Sequence, residues 1–179
     1  MQAKGSVLEL CQVVADLEPA LDHWTGTIRA GPFFVFEVPV LPGQLYRGAP
    51  TEVSMKVAFG FSGGLLIELL QQTNHGPSVF REMLEAGGHG YHHIMLHGPY
   101  DENFARLSAK GHEVAFSGQM PAAERFCLFD TQAADGAFVE LMEISPAMEE
   151  SLARMHRAHV AWDGVTDPVR GLDRLVEFA

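Results

Sequence analysis

The polar and apolar positions divide the chain into two similar halves and a tail. Val7 to Val14 is a short run rich in strand-forming residues, and Asp16 behind it is placed to cap a helix from Leu17 to about Arg29. Gly31-Pro32 breaks that helix, and Phe33 to Val38 reads as an aromatic and β-branched strand ending at Pro39 and Pro42-Gly43. Glu52 to Phe59 and Leu65 to Leu70 are two more strands, joined through the hairpin-like Phe61-Ser62-Gly63-Gly64. The first half is therefore βαβββ.

A polar stretch from Gln71 to Gly76 leads to a short helix over Pro77 to Ala86, which ends at Gly87-Gly88. The pattern then repeats. Tyr91 to Leu96 is a strand, Asp101 to Ala109 a helix, and Glu113–Ser117, Arg125–Asp130 and Ala137–Ile144 are strands. Each half opens on a strand carrying a possible metal ligand, Glu9 or His93, and closes on an apolar strand centred on a glutamate, Glu68 or Glu140. We read this as an internal duplication. Beyond Ser145-Pro146 the pattern predicts a helix over Ala147 to Trp162, a loop through Pro168 and a last short helix from Gly171 to Ala179. That tail could cover a sheet, pack on a partner subunit or lid a site, and the pattern does not choose.

Composition narrows the function classes. The chain has 179 residues, 47% of them hydrophobic, enough for one domain or two small modules sharing a core. A formal net charge of −11 with scattered basic residues disfavours nucleic acid and favours a small-molecule ligand. No run reaches the roughly 18 uninterrupted apolar residues of a membrane span, so no membrane role is expected. Cys11 and Cys127 lie in apolar runs without CxxC spacing and read as two reduced core thiols, which suits the cytoplasm.

The candidate chemistry sits on three strands. A carboxylate amid aliphatic residues is costly to bury unless a cation or a proton compensates it, which makes Glu68 and Glu140 anomalous. Taken singly, either could face solvent on a half-covered sheet; two at equivalent places, with a histidine strand between, point to a shared site. In His89-Gly90-Tyr91-His92-His93-Ile94-Met95-Leu96-His97, strand alternation puts His93 and His97 on one face and His92 on the other. Imidazole with carboxylates suits Zn, Fe, Mn, Co or Ni.

Several short motifs together resemble the vicinal oxygen chelate proteins, the glyoxalase, bleomycin resistance and dioxygenase superfamily. They are Val13-Val14-Ala15-Asp16-Leu17-Glu18, Ile67-Glu68-Leu69, Gly90-Tyr91-His92-His93-Ile94 and Val139-Glu140-Leu141, within a stretch from Ser6 to Ile144. The texture is nearest to the methylmalonyl-CoA epimerase and glyoxalase-like branch. The resemblance implies an α+β fold in which paired βαβββ modules form a curved mixed sheet around a metal or ligand pocket. The expected limits are residues 1–145 for that domain, with modules at 6–72 and 90–145 and a linker helix at 73–89, and residues 146–179 for a C-terminal helical extension. The resemblance implies metal ligands at Glu68, His93 and Glu140. Seven residues before Asp16, where relatives usually carry His or Gln, this chain has Glu9, a fourth ligand, a general base or a hydrogen-bonding group; Gln12 is the weaker substitute.

A divalent ion there implies an isomerase, epimerase or lyase acting on a small carbonyl or acyl substrate through an enolate, with Glu140 or Glu9 as base. The alternatives are an extradiol-type dioxygenase and a non-enzymatic, resistance-type binding protein. Phe34 and Phe36 are expected on the pocket wall, and Arg125 either there, binding an anionic group, or in a surface ion pair. Trp24 and His23 are read as packing and surface residues. Family members commonly form homodimers, the assembly expected here.

Overall fold

The structure, a computed structural model, describes Ala3 and residues 5–178. Strand-forming residues make Val7–Val13 (β1) extended, and Asp16 caps the helix Leu17–Asp22 (α1) by accepting a hydrogen bond from the Glu18 amide at 3.1 Å. The predicted helix to Arg29 does not stay α-helical: His23–Ile28 is a π-helical turn ended by Arg29 in the left-handed region. Gly26 and two threonines are poor helix formers, and the Thr25 hydroxyl donates back to the Leu21 carbonyl, which loosens the turn.

Phe33–Val38 (β2) is followed by a hairpin absent from the pattern, Leu45–Tyr46 (β3) and Ala49–Pro50 (β4). Met55–Ser62 (β5) and Leu65–Gln72 (β6) pair through a two-residue loop in which Gly63 takes the positive φ, 58°, that such a turn needs. Ser78 caps the linker helix Val79–Glu85 (α2). The second half repeats the scheme with Gly90–Leu96 (β7), Tyr100–Ala109 (α3), Val114–Gln119 (β8), Arg125–Asp130 (β9), the short helix Gln132–Asp135 (α4) and Phe138–Met142 (β10).

Among the described residues all eleven strands, counting a final Val169–Gly171 (β11), join one mixed sheet in the order β11-β2-β5-β6-β1-β7-β10-β9-β8-β3-β4. The runs β2-β5-β6-β1 and β8-β9-β10-β7 are equivalent. In each, the last strand of the module lies parallel to its first, and the modules meet where β1 and β7 run antiparallel. The sheet is strongly curved, because β3, from the loop after β2, pairs with β8 at the far edge. Arg47 pins this closure, its guanidinium lying 2.6 Å from Glu82 on α2 and 3.1 Å from Asp130 on β9.

Alternation along β6 and β10 explains the anomalous glutamates. Ile67 and Leu69 face α1 and the convex core, while Leu66, Glu68 and Leu70 line the concave side. Val139 and Leu141 pack under α3, and Glu140 and Met142 turn inward. Both glutamates are largely buried, Glu68 being 8% exposed and Glu140 7%.

The tail does not stand apart. Ser145 caps Pro146–Ala161 (α5), which lays Leu152, Met155 and Ala158 on the concave side against Phe34, Phe61, Leu66 and Met95. The last helix forms as a 3-10 helix, Leu172–Phe178, in which Leu172, Leu175 and Phe178 fall on every third position, and Val169–Gly171 before it adds to the open edge of β2. Ala179, the expected end of that helix, lies outside the described residues.

Candidate metal and ligand site

Four buried side chains converge at the centre of the sheet, one from each of β1, β6, β7 and β10. His93 Nε2 lies 3.7 Å from Glu9 Oε1, 3.4 Å from Glu68 Oε2 and 3.0 Å from Glu140 Oε2. One ligand atom from each of the four lies within 4.8 Å of the others, a spacing that suits one ion between them. Despite these short distances, His93 Nε2 and Glu9 Oε1 are buried without a hydrogen bond in acceptable geometry. Orphaned polar atoms this deep cost about 1–3 kcal/mol each, which an ion bound to both would recover. The donor set therefore fits a metal.

A β-bulge shapes the histidine pair. The register of β1 against β7 slips between Cys11 and Gln12, leaving His92 as the extra residue, so simple alternation fails and both imidazoles meet inside. His92 stacks on Phe138 and packs on Phe80, with its Nε2 3.2 Å from the Val79 carbonyl and its Nδ1 2.8 Å from His93 Nδ1. Burial, helped by the charge of His93, pushes the His92 pKa down to about 3, so its ring is neutral. Its one proton faces Val79, which leaves Nδ1 to accept from His93 Nδ1–H. That bond turns His93 Nε2 toward the carboxylates, the arrangement in which a ligating histidine is oriented through its other nitrogen. His97 is buried beyond the cluster, at the end of β7.

Electrostatics point the same way. Burial raises the Glu9 pKa well above the usual carboxylate value, with the Glu68 charge adding to it, and burial likewise raises Glu140. For His93 burial opposes the charged ring, but the acidic groups around it, Cys11, Glu140 and Glu68, hold its pKa well above normal. Without an ion, protons are the only positive charge the cluster can gather. Cys11 lies beside Glu68 and His93, and burial keeps its thiol neutral. Its nearness was not legible in the pattern, because it depends on Cys11 facing both Glu68 and His93 across the two pairings of β1.

The cluster opens onto a cavity of about 850 Å³ under the concave sheet. Phe36 lines it, together with Phe59, Phe80 and Phe126. Phe34 does not, a correction with a simple cause: it shares the face of Phe36, but α5 covers it, leaving it fully buried. Arg125 is also absent from the wall. It is exposed on β9, paired with Asp101 at 2.9 Å and with Glu143, and stacked over Tyr100. Gln12 faces away and accepts a hydrogen bond from Trp24. The tail supplies wall residues no motif signalled, among them Met148, Leu152, Met155 and Leu175.

No protein-family model matches the chain, and no curated protein matches it. Solved structures do. Methylmalonyl-CoA epimerase from Mycobacterium tuberculosis is similar over 83% of this chain and 96% of its own, with a TM-score of 0.55 at 19% identity. A hypothetical protein from Bacillus halodurans is similar over 78% and 94%, with a TM-score of 0.54 at 16% identity. A Streptomyces coelicolor methylmalonyl-CoA epimerase variant in complex with 2-nitronate-propionyl-CoA is similar over 78% and 97%, with a TM-score of 0.51 at 18% identity. At such identities the likeness is one of fold. The chain shares the fold of these structures, with paired βαβββ modules in one curved sheet.

Proposed function

We propose that this chain is a metal-dependent isomerase or epimerase, or a lyase, that removes a proton beside a carbonyl or acyl group. The observation that carries this reading is the pair of orphaned buried atoms, His93 Nε2 and Glu9 Oε1, within a cluster that Glu68 and Glu140 complete. These four residues would hold a divalent ion, with Zn, Mn, Co, Ni and Fe all compatible with one imidazole and three carboxylates. Such an ion would supply Lewis acidity, gripping adjacent substrate oxygens and stabilising the negative charge left on them when the neighbouring carbon loses its proton.

The remaining steps belong to the chain. His92 orients His93, and the apolar wall of the concave side surrounds the site. Glu140 or Glu9 takes the proton. Both are carboxylates that line the cavity beside the point where the ion would sit. An oxygen-activating role is less well supported, because the two-histidine, one-carboxylate set it uses would need a second imidazole at Glu9 or Glu68.

Metal analysis of protein purified without chelator tests the reading. We expect one equivalent of a divalent metal in the native chain, and its loss in Glu68→Ala and His93→Ala variants that remain folded. A native protein that neither carries nor takes up a divalent ion would sink the proposal.

A further inference from the structure

We infer that the site selects an uncharged molecule with an apolar body that carries two adjacent oxygens, and that the C-terminal segment is its selecting element. Only the oxygen pair in this inference rests on the proposed metal site; the body is argued from the cavity wall.

The cavity, at about 850 Å³, is large enough for a drug-sized ligand. Its wall is aliphatic and aromatic apart from the central cluster and a charged rim. Six of the eight methionines in the sequence line it: Met55, Met95, Met120, Met142, Met148 and Met155. Methionine is flexible and polarisable, and walls built from it adapt to bulky apolar shapes rather than to one rigid outline. Four phenylalanines, one each from β2, β5, α2 and β9, add flat apolar surface.

Charge argues against an anionic ligand. Among the described residues, Arg154 is the only arginine or lysine on the wall, and its guanidinium is already 3.0 Å from Glu150. Glu124 and Glu150 are the other charged groups outside the central cluster, and the whole chain carries −11. A coenzyme A thioester, the ligand named for some of the epimerases of this fold, brings several phosphate charges that no free cation here would receive. The segment from Pro146 onward makes the difference. It packs Leu152, Met155 and Leu175 over the concave side and adds apolar wall to the cavity.

The inference is tested on the full chain with N-phenylnaphthylamine, an uncharged probe that fluoresces in apolar cavities, displaced by benzil, an uncharged aromatic diketone, or by propionyl-CoA. Benzil should displace the probe, and propionyl-CoA should not at the same concentrations. Displacement by propionyl-CoA as effective as by benzil overturns the ligand class. Filling the cavity from the tail with Met155→Trp should weaken probe binding about tenfold, the effect of overpacking by a little over 1 kcal/mol. Met148→Trp, at a half-buried position that tolerates a larger side chain, should act in the same direction. Unchanged affinity in the folded variants overturns the role given to the tail. Metal analysis of the same samples separates the two claims. A metal-free chain that still prefers benzil overturns the proposed function together with the oxygen pair that rests on it, and supports the uncharged apolar body.

Discussion

At the scale of single residues, three of the four site side chains are conspicuous in the sequence because their chemistry conflicts with their neighbours. Glu68 and Glu140 stand in aliphatic strands, and His93 opens the second repeat. Glu9 is conspicuous only by its distance from Asp16, since Leu8-Glu9-Leu10 would suit any amphipathic strand. Phe34 and Phe36 show where residue-level reading stops. They share a strand and a face, yet only Phe36 meets the cavity. Phe34→Ala should therefore cost about 3–5 kcal/mol of stability, the range for a buried phenylalanine, and leave metal content unchanged. Thermal or urea unfolding checks the first and metal analysis the second; a shift below about 1 kcal/mol would place Phe34 outside the core.

At the scale of elements, the main strands and helices follow from period-two runs, Gly and Pro breaks and Asp or Ser caps, all of which are local. The elements that escaped are those whose formation is not local. The β3-β4 hairpin is too short to show a period and exists because β8 offers it an edge. β11 likewise takes the edge of β2. The bulge at His92 is an event of pairing that alternation within one strand cannot reveal. Arg47 belongs to this level, because it joins the hairpin, α2 and β9. Its side chain is 43% exposed, so screening by solvent limits the network, and Arg47→Ala should lower stability by about 0.5–1 kcal/mol. High salt should shrink that difference between the variant and the native chain; a loss independent of salt would assign the effect to packing of the arginine stem.

At the scale of the whole molecule, the duplicated sheet concentrates three carboxylates around one imidazole, which ties stability to protonation. In the folded, metal-free chain Glu9, Glu140 and His93 all have pKa values above their ordinary 4.5, 4.5 and 6.5. The folded state thus keeps protons that the unfolded chain releases, and stability falls as pH rises, from about 4.5 for the carboxylates and from about 6.5 for the histidine. Melting temperature in chelator should drop across this window and recover on addition of a divalent metal, which takes the place of the protons. A metal-free melting temperature that rises with pH would contradict the clustering. By itself the sequence determined the two modules, the identity of the acid and imidazole groups and the net negative charge, because alternation, capping and charge are properties of the chain read in order. Only the tertiary structure decided that four residues spread from Glu9 to Glu140 share one point, that His92 steers His93, and that the tail covers Phe34 and walls the cavity. Those outcomes depend on curvature, register and the docking of distant segments, in which no residue interacts only with its neighbours along the chain.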